Sequence, residues 1–272
     1  FNSCINLKTV GEIDTSSCTT FDYMFNNCQA LTSLPDLNTA NAVSFLRAFG
    51  ITRLLSKMPA LDFSSAQNCR QMFAGSGLTM IPDLDLSTVT NFYQMFAGTD
   101  SLYKVGNLTC TSGTDFTMML GYFGDIGTAC AVKEIASITT PNGTTFSGMF
   151  QQSFRLENVP AGLDTSNSTD CSYMFFGTNI SQIPDLNTSN CTNFDYMFGR
   201  YGGGAGPLQK IGALDFSSAT SLYRTFWYAD ALSNVMVSGA TVSFDVTDCC
   251  LSKKNLEILF TNLGTANGGS QT

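Results

Sequence analysis

Eleven residues after an Asp or Asn, this chain places a Phe, and it does so repeatedly: Asp14–Phe25, Asn38–Phe49, Asp62–Phe73, Asp85–Phe96, Asp164–Phe175, Asn187–Phe198 and Asp215–Phe226. Thr109–Leu120 and Thr139–Phe150 keep the spacing but change one or both ends. The anchors therefore recur about every two dozen residues, and self-similarity at such a period is the mark of stacked repeats. A single repeat of this size cannot bury its own Leu, Met and Phe, so the core exists only between neighbours.

Each repeat carries two apolar blocks. The first is seen in Leu31/Leu34/Pro35/Leu37, Leu78/Ile81/Pro82/Leu84 and Ile180/Ile183/Pro184/Leu186, and its leading pair persists without Pro in Leu102/Val105, Val132/Ile135, Leu208/Ile211 and Leu232/Val235. This block predicts a short strand that stops at or beside Pro, because Pro cannot donate to a ladder. The second block places Phe21, Met24 and Phe25 at i, i+3 and i+4, as do Phe92/Met95/Phe96, Phe146/Met149/Phe150 and Phe194/Met197/Phe198. That spacing predicts a short helical turn, headed by N-cap residues such as Thr20, Asn91 and Asn193. Strands one repeat apart then pair in parallel at about 4.8 Å. The expected fold is an α/β repeat solenoid of about nine to ten repeats of roughly 24 residues, with parallel strands on one face and helical turns on the other.

Over 272 residues there are 22 Phe and 11 Met but one Trp, and charged residues make up 12%, which suits a Met/Phe stripe serving as core. The net charge of −8 argues against a nucleic-acid ligand. No apolar run of spanning length calls for direct membrane insertion. Phe1 precedes Asp14 by the same interval that separates Phe25 from Asn38, and Cys4 falls where Cys28 does, so the chain reads as beginning inside a repeat. Residues 1–250 read as solenoid. Residues 251–264 read as a capping helix, with Ser252 as N-cap, Gly264 as stop and Leu256, Leu259, Phe260 and Leu263 on one face. Residues 265–272 read as tail or linker.

The ten Cys mostly occupy packing positions. Cys69 and Cys171 stand where Phe21 and Phe92 stand, and Cys18 and Cys191 where Ala42 and Ala66 stand, so they are expected as small core fillers. Cys4 and Cys28, one repeat apart, fall within disulfide reach if the repeats stack. The Asp14/Asn38/Asp62/Asp85/Asp164/Asn187/Asp215 series reads as turn capping rather than a calcium row, since Asn and Thr break the charge. Asn-x-Ser/Thr triplets at 107, 142, 167, 179, 187 and 190 follow from Asn-, Ser- and Thr-rich turns. With no His, neither a Ser-His-Asp nor a Cys-His centre can be built. The glycine run Gly202, Gly203, Gly204 and Gly206 lacks the ending of a phosphate loop. No catalytic residues, metal ligands or cofactors are expected.

Leu163–Phe175 (LDTSNSTDCSYMF) and Ile183–Phe198 (IPDLNTSNCTNFDYMF) resemble the BspA-like leucine-rich repeats of bacterial surface proteins. The ending LSKKNLEILFTNLGTANGG is similar to one that follows such repeats in phage tail and virion proteins. The resemblance implies a non-catalytic binding or adhesion module, acting in receptor recognition or host attachment. Its location would be extracellular, on a virion tail or fibre or at a cell surface. Its partners would be a cell-surface glycan or protein receptor and other subunits of the assembly. A structural spacer or decoration is the alternative.

Two insertions, Gly121–Ala131 and Gly199–Pro207, occupy the same point of the repeat, and one edge of a stack is where such insertions carry contacts. The candidate binding residues are Tyr122 and Phe123 in the first and Arg200 and Tyr201 in the second. Tyr173, Tyr196, Tyr223 and Arg224 join them from the positions between Phe and Met, because Tyr and Arg favour interfaces.

Overall fold

The computed structural model describes residues 1–125, 127–202, 206–246 and 249–262. Strands β1 (Met80–Ile81), β2 (Leu84–Asp85), β3 (Lys104–Thr109), β4 (Glu134–Thr139), β5 (Gln182–Ile183), β6 (Lys210–Asp215) and β7 (Asn234–Ser238) come from the first apolar block of successive repeats. They pair in parallel: β1 and β2 on one side of β3, β4 on the other, and β5–β6–β7 as a second sheet. Matching positions of neighbouring repeats face each other, as in Ile81↔Val105↔Ile135 and Ile183↔Ile211↔Val235. Repeated parallel strands with few helices fit a repeat solenoid.

Proline sets the strand lengths as the sequence predicts. Pro82 and Asp83 separate β1 from β2, and β5 stops before Pro184. Where glycine stands instead, at Gly106 and Gly212, β3 and β6 run six residues unbroken. The preceding repeat reaches across here: Asp83 Oδ1 accepts the Asn107 N–H at 2.7 Å, and Asp185 Oδ1 accepts that of Ala213 at 2.7 Å. A Cβ at 106 would lie 2.4 Å from that Asp83 oxygen, so the approach requires glycine.

The second block is not helical, a correction to the sequence reading. Phe21–Met24 and Phe25–Cys28 are consecutive turns, closed by Met24 N–H to Phe21 O (3.0 Å) and Cys28 N–H to Phe25 O (3.2 Å). The third residue of each is left-handed, with φ of 56° at Tyr23 and 58° at Asn27, as type II turns demand. Alternate N–H groups point to the next repeat instead: Phe21 to Ser44 O, Tyr23 to Leu46 O, Phe25 to Ala48 O and Asn27 to Gly50 O. A helix would spend those donors within its own segment. The i, i+3, i+4 apolar spacing survives because a four-residue turn also returns the chain to the same face. The same left-handed position recurs at Arg47, Gln71, Gln94, Met118, Tyr173, Tyr196 and Arg224, and its strain is held by the bonds to neighbouring repeats. Parallel bridges run in one column from Thr20 through Ser44, Asn68, Asn91, Asp115, Thr145, Asp170 and Asn193 to Ser221.

The Phe anchors form a column of stacked rings. Phe25–Phe49–Phe73–Phe96 and Phe150–Phe175–Phe198–Phe226 have centroid spacings from 5.1 to 6.0 Å, and all are buried. Leu120 fills the place between the two runs. Phe1 stacks on Phe25 at 5.4 Å. Cys69, Cys171 and Cys191 are fully buried fillers, as their register predicts, while Cys18 is half-buried. Cys4 and Cys28 are free thiols, and Cys28 Sγ donates to the Phe1 carbonyl at 3.0 Å.

The single helix among the described residues, α1 (Lys253–Asn262), packs against β7. Ser252 Oγ accepts the Asn255 N–H at 3.2 Å, so the expected N-cap is present. Leu259 is buried and Leu256 packs on the core, but Phe260 is 62% exposed and does not share their contacts. Leu263, Gly264 and the expected tail lie outside the described residues.

Candidate functional site

The two insertions leave the stack at the same register position and end differently. The first folds into a hairpin, with Phe123 N–H to Thr128 O at 2.7 Å and the return bond at 3.3 Å. Its Phe123 is buried against Ala74 and Ala97, with Ile51 packed alongside. Gly98, at φ +65°, makes room: a Cβ there would lie 2.5 Å from Phe123 Cβ. Asp125 ties the hairpin to the stack through an ion pair with Arg47 at 2.5 Å. Phe123 is therefore a packing residue, not an exposed ligand contact, which corrects the sequence reading. Tyr122 is half-buried.

The second insertion brings the remaining candidates together. Tyr201 is 60% exposed and meets Phe176 edge-on at 4.7 Å and Trp227 at 6.3 Å. Phe176 and Trp227 follow their anchors directly, and between them that register position holds Gly199. With no side chain in the middle, Phe176 and Trp227 face each other at 6.4 Å. The left-handed column supplies Tyr173, stacked on Tyr196 at 4.8 Å, and then Arg224. The Arg224 guanidinium lies 5.1 Å from the Tyr223 ring centroid, 5.0 Å from Trp227 and 5.9 Å from Tyr196, and it donates to the Tyr196 hydroxyl at 3.3 Å. Tyr228 adds a tilted ring against Trp227 at 4.7 Å.

Burial, the largest influence, and the neighbouring Tyr196 and Tyr201 phenols push the Tyr173 hydroxyl above its ordinary value, so it stays neutral and a donor. Asp195 holds the backbone beneath by accepting the Ser221 hydroxyl at 2.5 Å and the Tyr223 N–H at 2.8 Å. Arg200 borders the face beside Gly206, whose N–H donates to Asp230 at 2.7 Å. Sequence reading named Tyr173, Tyr196, Arg200, Tyr201, Tyr223 and Arg224, and missed Phe176, Trp227 and Tyr228. The signal for Phe176 and Trp227 was the lone Trp of the chain and a large ring one place after an anchor, where Asn, Gln, Ala or Gly stands elsewhere.

The acidic series does what turn chemistry asks of it. Asp14, Asp62, Asp85, Asp164 and Asp215 accept the N–H two residues on at 2.8–3.0 Å, and Asn38 and Asn187 do so at 3.3 Å. Among the described residues no group of three or more His, Cys, Asp or Glu is placed to hold a metal ion. No helix among them is long and apolar enough to cross a membrane. The amides of Asn142, Asn167 and Asn190 each donate to a carbonyl of the preceding repeat at 2.7–2.8 Å, so these triplet residues work as ties between repeats. Gly203 and Gly204 of the glycine run lie outside the described residues.

These features define a parallel-strand repeat protein that carries an aromatic, cation-bearing face. The chain belongs to the family described as Mycoplasma protein of unknown function, DUF285, whose sequence model matches residues 1–109, 62–183 and 117–239. Three overlapping matches along one chain suggest a repeat surface protein family. Neither a curated protein nor a solved structure matches the chain.

Proposed function

We propose that this chain is a non-catalytic binding module that attaches to a receptor through the face built from Tyr173, Tyr196, Tyr201, Tyr223, Arg224 and Trp227. In this reading it is a solenoid of nine to ten BspA-like leucine-rich repeats closed by α1, displayed on a cell surface or on a phage tail or fibre. The observation that carries the reading is the exposure of Tyr201 and Tyr223, at 60% and 55%, each set edge-on against a neighbouring ring around an unburied guanidinium. Large rigid rings give contact area at small entropic cost, and Tyr, Trp and Arg dominate binding hot spots.

The test is attachment of the purified chain to cells and to arrayed glycans and proteins, repeated with Tyr201→Ser/Tyr223→Ser. Both side chains are largely exposed, so the double variant should melt within a degree or two of wild type. Attachment should fall by about tenfold or more, the loss of two contacts of hot-spot size. A folded double variant that attaches like wild type overturns the reading and leaves the spacer or decoration role in its place.

A further inference from the structure

Beside Tyr201 lies a groove of about 300 Å³, lined by Phe154, Thr178, Asn179, Arg200, Tyr201 and Pro207 among others. From this geometry we infer that the groove binds an acidic sugar, a pyranose ring bearing a carboxylate, on the proposition that this face is the binding face. Phe154 is 57% exposed and Tyr201 60%, so two aromatic rings that border the groove are largely open to solvent. An apolar sugar face stacks on such surfaces. The exposed Asn179 carboxamide has no side-chain partner among the described residues and offers donors and an acceptor to ring hydroxyls.

Charge completes the fit. Arg200 has no ion-pair partner among the described residues, whereas Arg47 and Lys133 are held by Asp125 and Glu157. Asp230, at the edge of this insertion, accepts the Gly206 N–H, and no ion pair joins it to Arg200. A planar guanidinium beside a groove is matched by a carboxylate that accepts two parallel bonds. In a chain of net charge −8, a cation left open at such a groove selects for an anionic ligand.

The experiment uses an array of carboxylated glycans beside the same glycans with the carboxyl reduced to an alcohol. Wild type should bind the carboxylated member of a pair about tenfold more tightly, and Arg200→Gln should erase that difference while melting like wild type. Phe154→Ser should weaken both members of the pair alike. Equal binding within pairs, or an Arg200→Gln variant that still discriminates, overturns the inference. So does binding confined to acidic peptides. Cell attachment without any glycan binding defeats the acidic-sugar inference and spares the binding face. Loss of attachment to cells, proteins and glycans together defeats both.

Discussion

The hydroxyl of Thr188 donates to the Asp215 carbonyl and accepts the Asp215 N–H, both at 2.9 Å, so one buried side chain closes two backbone groups of the next repeat. Thr39 with Asp62 and Thr140 with Asp164 repeat the arrangement at 2.7–3.0 Å. Each Thr directly follows the Asn or Thr that stands at the Asp14-series position of its own repeat. Where Leu86, Cys110 or Phe216 occupies that place, its own backbone N–H pairs with the next repeat instead.

Thr188→Val keeps the shape and removes both bonds. It should lower stability by about 1–3 kcal/mol, the cost of leaving partly buried backbone groups unpaired. Thr188→Ser should recover most of the loss. Urea midpoints measure both variants, and a Val variant as stable as wild type would show that the double bond contributes nothing.

How far the sequence could be read depends on which signals were local. Proline stops strands and an Asp or Asn oxygen caps a turn for reasons contained in a few residues, so Pro82 and the Asp14 series were legible. The Phe21/Met24/Phe25 spacing was misread because a helical turn and a pair of type II turns return to the same face after the same number of residues. What separates them is the destination of alternate N–H groups, and that lies a repeat away. The insertions show the same limit. Phe123 and Tyr201 are both aromatic residues in equivalent loops, yet one is buried and the other exposed. The cause lies beneath them: small Ala74 and Ala97 leave space that Phe123 fills, whereas Phe176 and Trp227 occupy that space and hold Tyr201 outside.

Stability should therefore be the readout for the first insertion. Phe123→Ala removes a buried ring and should cost about 3–5 kcal/mol if the site cannot collapse. Gly98→Val, which forces a side chain against Phe123 at positive φ, should destabilise the same docking. Any attachment assay on material that remains folded should be unchanged, since neither residue faces solvent. A Phe123→Ala variant that melts like wild type but attaches poorly would return this residue to the binding surface.

Acid should unfold the stack through its turns. The carboxyls of Asp14 and Asp85 are held below their ordinary value of 3.8 mainly by the hydroxyls of Ser16 and Ser87 and then by their N–H groups. Asp62 is held down first by the Ser64 N–H, and Asp83 by the Asn107 N–H. A folded-state value below the unfolded one means that the stabilisation is present above pH 3.8 and is lost as pH falls through the lower folded values. The melting temperature should accordingly hold between about pH 5 and pH 7 and drop below about pH 4. Asn already caps this turn at Asn38 and Asn187, so Asp14→Asn/Asp62→Asn/Asp85→Asn should fold and show a shallower acid limb. Asp83 keeps part of that limb in the triple variant because its partner lies in the next repeat. A wild-type limb no steeper than that of the triple variant would show that these exposed carboxyls do not couple folding to pH.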